Sequence, residues 1–229
     1  MNILMCSPTS FELVSFMQFV EQLAENKSFL EYRLNGHSIF PLVTGVGAMN
    51  TAFSIARHPR ISQVHFMINA GLAGAFHAGL KPGDVVEVYK DRFADLGAEE
   101  ADGTLLDLFD LELQDPNKFP FSDGWLENLN TPYDPKLNKV SALTVNRVSG
   151  TPLSIALLKD KYDAEIESME GAGFFYTSRI LNIPCVQIRA ISNYVEPRNK
   201  EKWQVELAIE KLNQVLIRFV TLLTKDRYA

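Results

Sequence analysis

The chain has 229 residues, 46% of them hydrophobic, and sets 22 Lys and Arg against 28 Asp and Glu for a formal net charge of −6. That length and apolar content suit one compact domain spanning residues 1–229 around a large core. The acidic balance excludes the basic footprint of a nucleic-acid-binding surface and leaves small molecules as the expected partners.

The first apolar run, Ile3-Leu4-Met5-Cys6, reads as a buried strand, and nothing basic precedes it as a secretory n-region would require. No apolar stretch reaches the ~18 to 20 residues that span a bilayer, so a cytoplasmic protein without membrane contact is expected. A helix should follow from about Ser10 to Leu23, with Leu13, Met17, Val20 and Ala24 on one face and Thr9 or Ser10 as its N-cap. Ile39 to Val43 is the next strand. It enters Gly45-Val46-Gly47-Ala48-Met49-Asn50, a strand-to-helix turn where glycine supplies positive φ. The last position is Asn, so the turn fails the dinucleotide fingerprint and no cofactor is expected.

Val64 to Ile68 is another strand, ending in Gly71-Leu72-Ala73-Gly74, a strand-end turn whose missing side chains would admit a flat ring to the backbone. After the strand Val85 to Val88, the stretch from Asp91 to Pro135 repeats Asp, Gly, Asn and Pro, with Phe109, Phe119, Phe121, Trp125 and Tyr133 scattered aperiodically. A loop of this length is usually functional or an interface element. Val140 to Val145 resumes the strand pattern. Thr151-Pro152 opens a helix to about Tyr162, which leads into strand-like Ala164 to Met169, and Pro184 to Ile191 is the last strand. The final helix is the clearest periodic segment, with Ala208, Leu212, Val215, Phe219, Leu222 and Leu223 on one stripe; its expected role is packing only. Alternating strands and helices imply an α/β fold, a three-layer α/β/α sandwich around a mixed, largely parallel sheet.

Cys6 and Cys185 lie in apolar runs without CxxC spacing and are expected as buried, reduced thiols. His37, His58, His65 and His77 show neither HxH nor HxxxH spacing, so no metal is expected. Taken alone, Glu12 is an acid in a first helical turn, Glu170 a capping or solvated residue, Met169 core filling, and Asn193 a turn residue. Each also stands at a strand end, where open α/β sheets bind ligands.

Taken together, the strand-turn with Glu12, Thr44-Gly45-Val46-Gly47, Asn69 to Gly74, Ser168-Met169-Glu170-Gly171-Ala172 and Arg189 to Asn193 resemble the purine nucleoside phosphorylase and nucleosidase superfamily. Their order and separations match over nearly the whole chain, leaving about Leu105 to Leu137 without a counterpart. The phrases Phe93 to Glu99 and Ser192 to Asn199 look like the futalosine hydrolase branch rather than methylthioadenosine nucleosidase, which carries Asp at the position of Asn193. The resemblance implies hydrolysis of a 6-oxopurine nucleoside, futalosine, to release hypoxanthine in menaquinone biosynthesis.

On that likeness Glu12 is the general base toward water. Glu170 holds the ribose hydroxyls and stabilises an oxocarbenium-like sugar. Asn193, buttressed by Ser192, stabilises the departing base: its NH2 donors cannot ionise and suit an edge presenting two acceptors. Gly45 and Gly47 form the floor near the ribose, Ala73 and Gly74 meet the base, and Met169 covers the sugar. The carboxylated aromatic group on the 5′ side should find a cation and apolar surface, for which Arg147, its neighbour Val148, and Phe119 or Phe121 are candidates. Arg189 either holds Glu170 or the loop, or pairs at the surface. Similar enzymes are homo-oligomers, dimers or larger, and Phe109 to Tyr133 is the candidate contact.

Water is expected as the nucleophile. Asn2 to Asn26 contains no Lys or Arg, and Arg57 and Arg60 arrive only past a helix, whereas phosphorolysis needs a cationic pocket. A phosphorylase or adenine-specific nucleosidase on the same fold, and a nucleoside-binding sensor without turnover, are the alternatives.

Overall fold

The computed structural model describes residues 1–28, 30–128 and 136–224. Strand β1 (Asn2–Ser7) is followed by a 3-10 turn at Phe11–Leu13 and helix α1 (Val14–Leu23). Strands β2 (Asn26–Ser28), β3 (Glu31–Leu34) and β4 (His37–Val43) fold back beside β1, and α2 (Ala48–Ala56) and β5 (Phe66–Ala75) come next. Then follow β6 (Val85–Phe93), the small hairpin of β7 (Gly97–Glu99) and β8 (Leu105–Asp107), β9 (Leu126–Glu127) and β10 (Asn138–Thr144). Helix α3 (Pro152–Lys161), β11 (Ile166–Ser168), α4 (Gly171–Leu181), β12 (Cys185–Tyr194) and α5 (Val205–Thr224) complete the described chain.

The main sheet runs β11-β10-β6-β12-β5-β1-β4-β3-β2. Its longest ladders are parallel, β1 with β4, β5 with β12 and β6 with β10, while β12 is antiparallel to β6. β11 also pairs antiparallel with β5, Ile166 opposite Ala75 and Glu167 opposite Gly74, so β5, β12, β6, β10 and β11 close into a ring. Side chains alternate across a strand, and β1 shows it: Leu4 and Cys6 join the core under α2 and α4, with Phe40, Met67 and Phe174. Ile3 and Met5 join the core under α1 and α5, with Phe16, Ile188 and Leu212. Helices thus cover both faces of a mixed sheet, the expected three-layer α/β arrangement.

Several expectations need correction. The segment Gly71-Leu72-Ala73-Gly74 is not a turn: it is the C-terminal half of β5, paired residue by residue with β12. Glycine lowers strand propensity, but the flanking strands supply the ladder. The first helix starts as a 3-10 turn, Ser10 makes no side-chain cap bond, and Phe16 rather than Met17 is buried beside Val20. In α5, Leu222 is 56% exposed while Leu216 and Val220 carry the buried stripe. Helix α3 does begin as read, in a Thr151 and Ser154 capping box with Pro152 at its start.

The stretch after Asp91 is partly ordered into the β7 and β8 hairpin and by charge. Asp107 accepts from Arg92 Nη2 at 2.6 Å, from Tyr162 Oη at 3.1 Å and from the amides of Phe109 and Asp110. Burial pushes this carboxyl up, but those amides and Arg92 outweigh it and hold it at about 2. Tyr133 lies outside the described residues. Cys6 and Cys185 are free and buried, and burial raises both thiols, Cys185 to about 12. No helix among the described residues is long and apolar enough to cross a membrane.

Candidate active site

Glu12 is 7% exposed and sits in the 3-10 turn directly after β1. Its Oε2 accepts from Thr9 N at 3.0 Å, Thr9 Oγ1 at 2.7 Å and Ser7 Oγ at 3.3 Å. Its Oε1 accepts from Leu72 N on β5 at 3.2 Å. Thr9 therefore caps the side chain rather than the helix. The backbone of this turn is clasped from α5, where Asn213 Nδ2 donates to Glu12 O at 2.9 Å and Asn213 Oδ1 accepts from Phe16 N at 2.7 Å. The last helix does more than pack.

Glu170 is 4% exposed at the junction of β11 and α4. Its Oε1 accepts from Gly47 N at 3.2 Å and its Oε2 from Arg189 Nη1 at 3.2 Å. Gly47 has φ +101, a conformation that favours glycine, and so its amide can face the carboxylate. Arg189 is fully buried rather than at the surface. Besides Glu170 it donates Nε to Gln187 Oε1 at 2.9 Å and Nη2 to Asn69 Oδ1 at 2.5 Å. The chain continues inward: Gln187 Nε2 donates to Asp91 Oδ2 at 3.2 Å, and Thr144 Oγ1 donates to Asp91 Oδ1 at 2.8 Å.

Burial raises the Glu170 pKa, Arg189 opposes the rise, and the charge on Glu12 adds to it. Burial likewise lifts Asp91 to about 6 against the bonds from Thr144 and Gln187. The two halves of the site meet at Gly71, where a Cβ would collide with Arg189 Nη1 and stand 3.3 Å from Glu12 Oε1.

Asn193 reaches the same strand three positions beyond Gly71, at Gly74. Between Ile191 and Asn193 the pairing with β5 slips, leaving Ser192 as an extra residue and Asn193 opposite Gly74. A bulge of this kind re-aims a side chain. Ser192 Oγ donates to Asn193 Oδ1 at 2.7 Å, and Asn193 Nδ2 donates to Tyr194 O at 2.8 Å. One of the two amide N–H groups is thus used and the carbonyl is held by serine. Leu72, which meets Glu12, and Gly74, which meets Asn193, are separated along β5 by roughly 7 Å.

Of the other residues singled out in the sequence, Gly45, Gly47, Ala73, Gly74 and Ser192 gather on these loops and strand ends. Ala73 O accepts from Ser192 Oγ at 3.3 Å, and Gly45 N donates to Pro8 O at 3.1 Å. Met169 lies half-buried between Ser168 and Glu170. Val148 lines a narrow pocket of about 50 Å³ with Asn193, Gly74, Ser149 and Glu167. Val148 and exposed Arg147 also line a wider cavity of about 870 Å³ between the β7 and β8 hairpin and α3.

Phe119 is not brought to this group. It is 62% exposed, with Arg179 of the last turn of α4 above its ring at 5.5 Å, while Glu170 lies at that helix's other end. Phe121 packs on Phe109 and Tyr176 instead. Arg57 and Arg60 are engaged away from the site, Arg57 over Phe53 and Arg60 with Glu31 and Phe40. Asp91, Glu167, Gln187 and Asn213 escape the sequence reading; their signal is a polar residue inside an otherwise apolar run or helical stripe.

Known proteins match this arrangement. A model of the phosphorylase superfamily matches residues 8–225. Futalosine hydrolase of Thermus thermophilus is 32% identical over 222 residues, covering 95% of this chain and 94% of that protein. Futalosine hydrolase of Streptomyces coelicolor is 27% identical, covering 76% and 75%. The solved 5′-methylthioadenosine/S-adenosylhomocysteine nucleosidase of S. pneumoniae superposes with a TM-score of 0.74 at 21% identity, covering 97% of this chain and all of that one, and shares the fold. With a match from residue 8 to residue 225 and a relative at about one-third identity along its length, this chain belongs to the phosphorylase superfamily.

Proposed function

We propose that this protein hydrolyses the N-glycosidic bond of futalosine and releases hypoxanthine. The observation that carries the reading is the convergence of Glu12, the Glu170–Arg189 pair and Asn193 on Leu72, Gly71 and Gly74 of one strand, in a chain whose curated relatives include futalosine hydrolases.

Glu12, oriented by Thr9, Ser7 and the Leu72 amide, accepts a proton from the water that adds to the sugar C1′. The C1′–N9 bond breaks, its electron pair leaves with the purine, and a proton reaches the base through water. Such base catalysis contributes ~10² to 10⁴ in rate. Glu170 accepts from the ribose hydroxyls, and its charge favours the sugar as positive character develops, an interaction that strengthens only toward the transition state. The remaining N–H of Asn193 donates to the O6 and N7 side of the base. Ala73, Gly74 and Ser192 form its seat, and Met169 with the Gly45 and Gly47 turn encloses the sugar. Arg147 and Val148, at the wider cavity, receive the carboxylated 5′ group.

Water rather than phosphate is the nucleophile in this reading. Arg57 and Arg60 are committed elsewhere, and all three Arg189 nitrogens already hold side chains. A homo-oligomer covers the apolar side chains beside Gly47, since Val46, Met49 and Phe53 are 47%, 78% and 61% exposed; a monomer by light scattering overturns that part.

The deciding experiment is chromatography of free base after incubation with futalosine, inosine and methylthioadenosine, each with and without phosphate. Hypoxanthine from futalosine in either buffer is expected. Release that needs phosphate makes the protein a phosphorylase, and faster release of adenine refutes the base assignment. Asn193→Asp should raise the relative rate on the adenine nucleoside. Glu12→Gln should keep ligand affinity and lose release, whereas a sensor would release no base in either form.

A further inference from the structure

The hydrolytic reading leaves Asp91 without a task, although it is a fully buried carboxylate with only Gln187 and Arg189 between it and Glu170. A buried charge is costly unless it is bonded, and the bonds of Asp91 lead to Glu170 along two routes.

The first route runs through the backbone of α4. Glu170 stands at the N-cap of that helix, yet its side chain makes no cap bond. The Ala172 amide, which an N-cap side chain would ordinarily take, donates instead to Thr144 Oγ1 at 2.7 Å. That hydroxyl has one proton, and it goes to Asp91 Oδ1 at 2.8 Å. Capping thus comes from a neighbouring strand, and Glu170 is released to face the site. Gly171 shows how closely the carboxylate underlies this turn, since a Cβ there would collide with Asp91 Oδ2 and Gln187 Oε1.

The second route runs through side chains. Burial lifts Asp91 only to about 6, so at neutral pH it is ionised and can only accept. A guanidinium can only donate. Gln187, between the two, has one orientation that satisfies both: Nε2 donates to Asp91 Oδ2 at 3.2 Å, and Oε1 accepts from Arg189 Nε at 2.9 Å. Arg189 Nη1 then reaches Glu170 at 3.2 Å.

We infer that Asp91 is a positioning residue for Glu170. Through Thr144 it fixes the first turn of α4, and through Gln187 it fixes the guanidinium that orients the Glu170 carboxylate toward the sugar. The inference rests on the hydrolase reading above and adds to it a residue that never touches substrate. Asp91→Asn has no orientation that keeps every bond. With its oxygen left on Thr144 and on the Arg92 amide, which donates to Asp91 Oδ1 at 2.8 Å, the new NH2 faces the NH2 of Gln187. Turning Gln187 to relieve that clash sets its NH2 against Arg189 Nε. Turning the new amide instead sets its NH2 against the Arg92 amide.

The test follows hypoxanthine release from futalosine by the intact protein, with calorimetry of hypoxanthine binding to count folded sites and measure their affinity. Asp91→Asn should lower kcat per hypoxanthine-binding site by about 10- to 100-fold, the cost of misplacing a group that faces the reacting atoms. Affinity for hypoxanthine should stay within about twofold, because the Asn193 seat lies outside both routes. A general loss of structure reduces the number of binding sites and leaves kcat per site unchanged. Adding Gln187→Glu to Asp91→Asn returns an acceptor to both neighbours and should recover kcat about fivefold or more, the mark of two coupled residues.

An unchanged kcat per site in folded Asp91→Asn overturns the inference, as does a loss that Gln187→Glu does not relieve or one matched by an equal loss of hypoxanthine affinity. If Asp91→Asn does not fold, Gln187→Met, which cuts the side-chain route alone, must lower kcat in its place, and an unchanged kcat there also overturns it. A wild type that releases no base from any nucleoside removes the hydrolase reading and this inference together. Base release that Asp91→Asn leaves untouched removes the inference alone.

Discussion

Glu12 and Glu170 belong to the two halves of the site that meet at Gly71, and their surroundings differ in kind. Glu12 is held by neutral donors, two from Thr9, one from Ser7 and the amide of Leu72. Glu170 is held by a buried guanidinium and one amide, and behind the guanidinium stand Gln187, Asn69 and Asp91. Two carboxylates of similar burial are thereby suited to different work, as when environment alone assigns the acid and base roles of a pair. Glu12 faces neutral donors only, whereas Glu170 is tied to a guanidinium that opposes, without cancelling, the rise in its pKa that burial causes.

The sharpest way to break this comparison is Glu12→Gln. It should lower kcat by about 10² to 10⁴, or about 3 to 5 kcal/mol of barrier, with KM little changed, as followed by base release. If Glu170→Gln shows that pattern and Glu12→Gln does not, the two roles are reversed. On the other side, Arg189→Met leaves Glu170 buried without its cation and should cost about 3 to 5 kcal/mol of stability in urea; Glu12→Gln should lose much less.

Stability also depends on pH. Asp91 is raised to about 6 in the folded protein, above its unfolded value, so the stability it contributes is complete below pH 4 and is lost as pH rises through 6. The swing is roughly 3 kcal/mol at 1.36 kcal/mol per unit, and the raised Glu170 adds with the same sign. Urea melts from pH 4 to 7 should show the decline in the wild type and a flatter curve in Asp91→Asn. The smallest effect belongs to the Glu12 turn: Asn213→Ala, which orphans the Phe16 amide, should cost about 1 to 3 kcal/mol and lower kcat more than it changes the affinity for hypoxanthine.

The scaffold was legible in the sequence because buried strands are short apolar runs and α5 keeps a helical stripe through five turns. Glu12, Glu170 and Asn193 stand out in the sequence only by register with a family pattern; isolated, each has an ordinary structural explanation. What stayed hidden depends on pairing between distant strands. The bulge at Ser192 exists only against β5, and the narrow pocket at Gly74 only between β11 and β12. The polar chain from Asp91 to Glu170 is assembled from four strands or strand ends, so each member looks like a stray polar residue in its own segment. Phe119 shows a related difficulty: aromatic composition marks a stretch as interesting without saying which end of α4 it will reach. The three-residue strands β7 and β8 are too short for any period to register.

The closure of β11 onto both β10 and β5 has a consequence for how such a protein can change its diet. Glu170 follows one strand of that ring and Asn193 ends another, so the gap between them is a fixed gauge that no single loop can widen. A different ligand would then have to be met by exchanging side chains on the loops, at positions such as Arg147 and Val148, while the spacing of Glu170 to Asn193 is inherited unaltered.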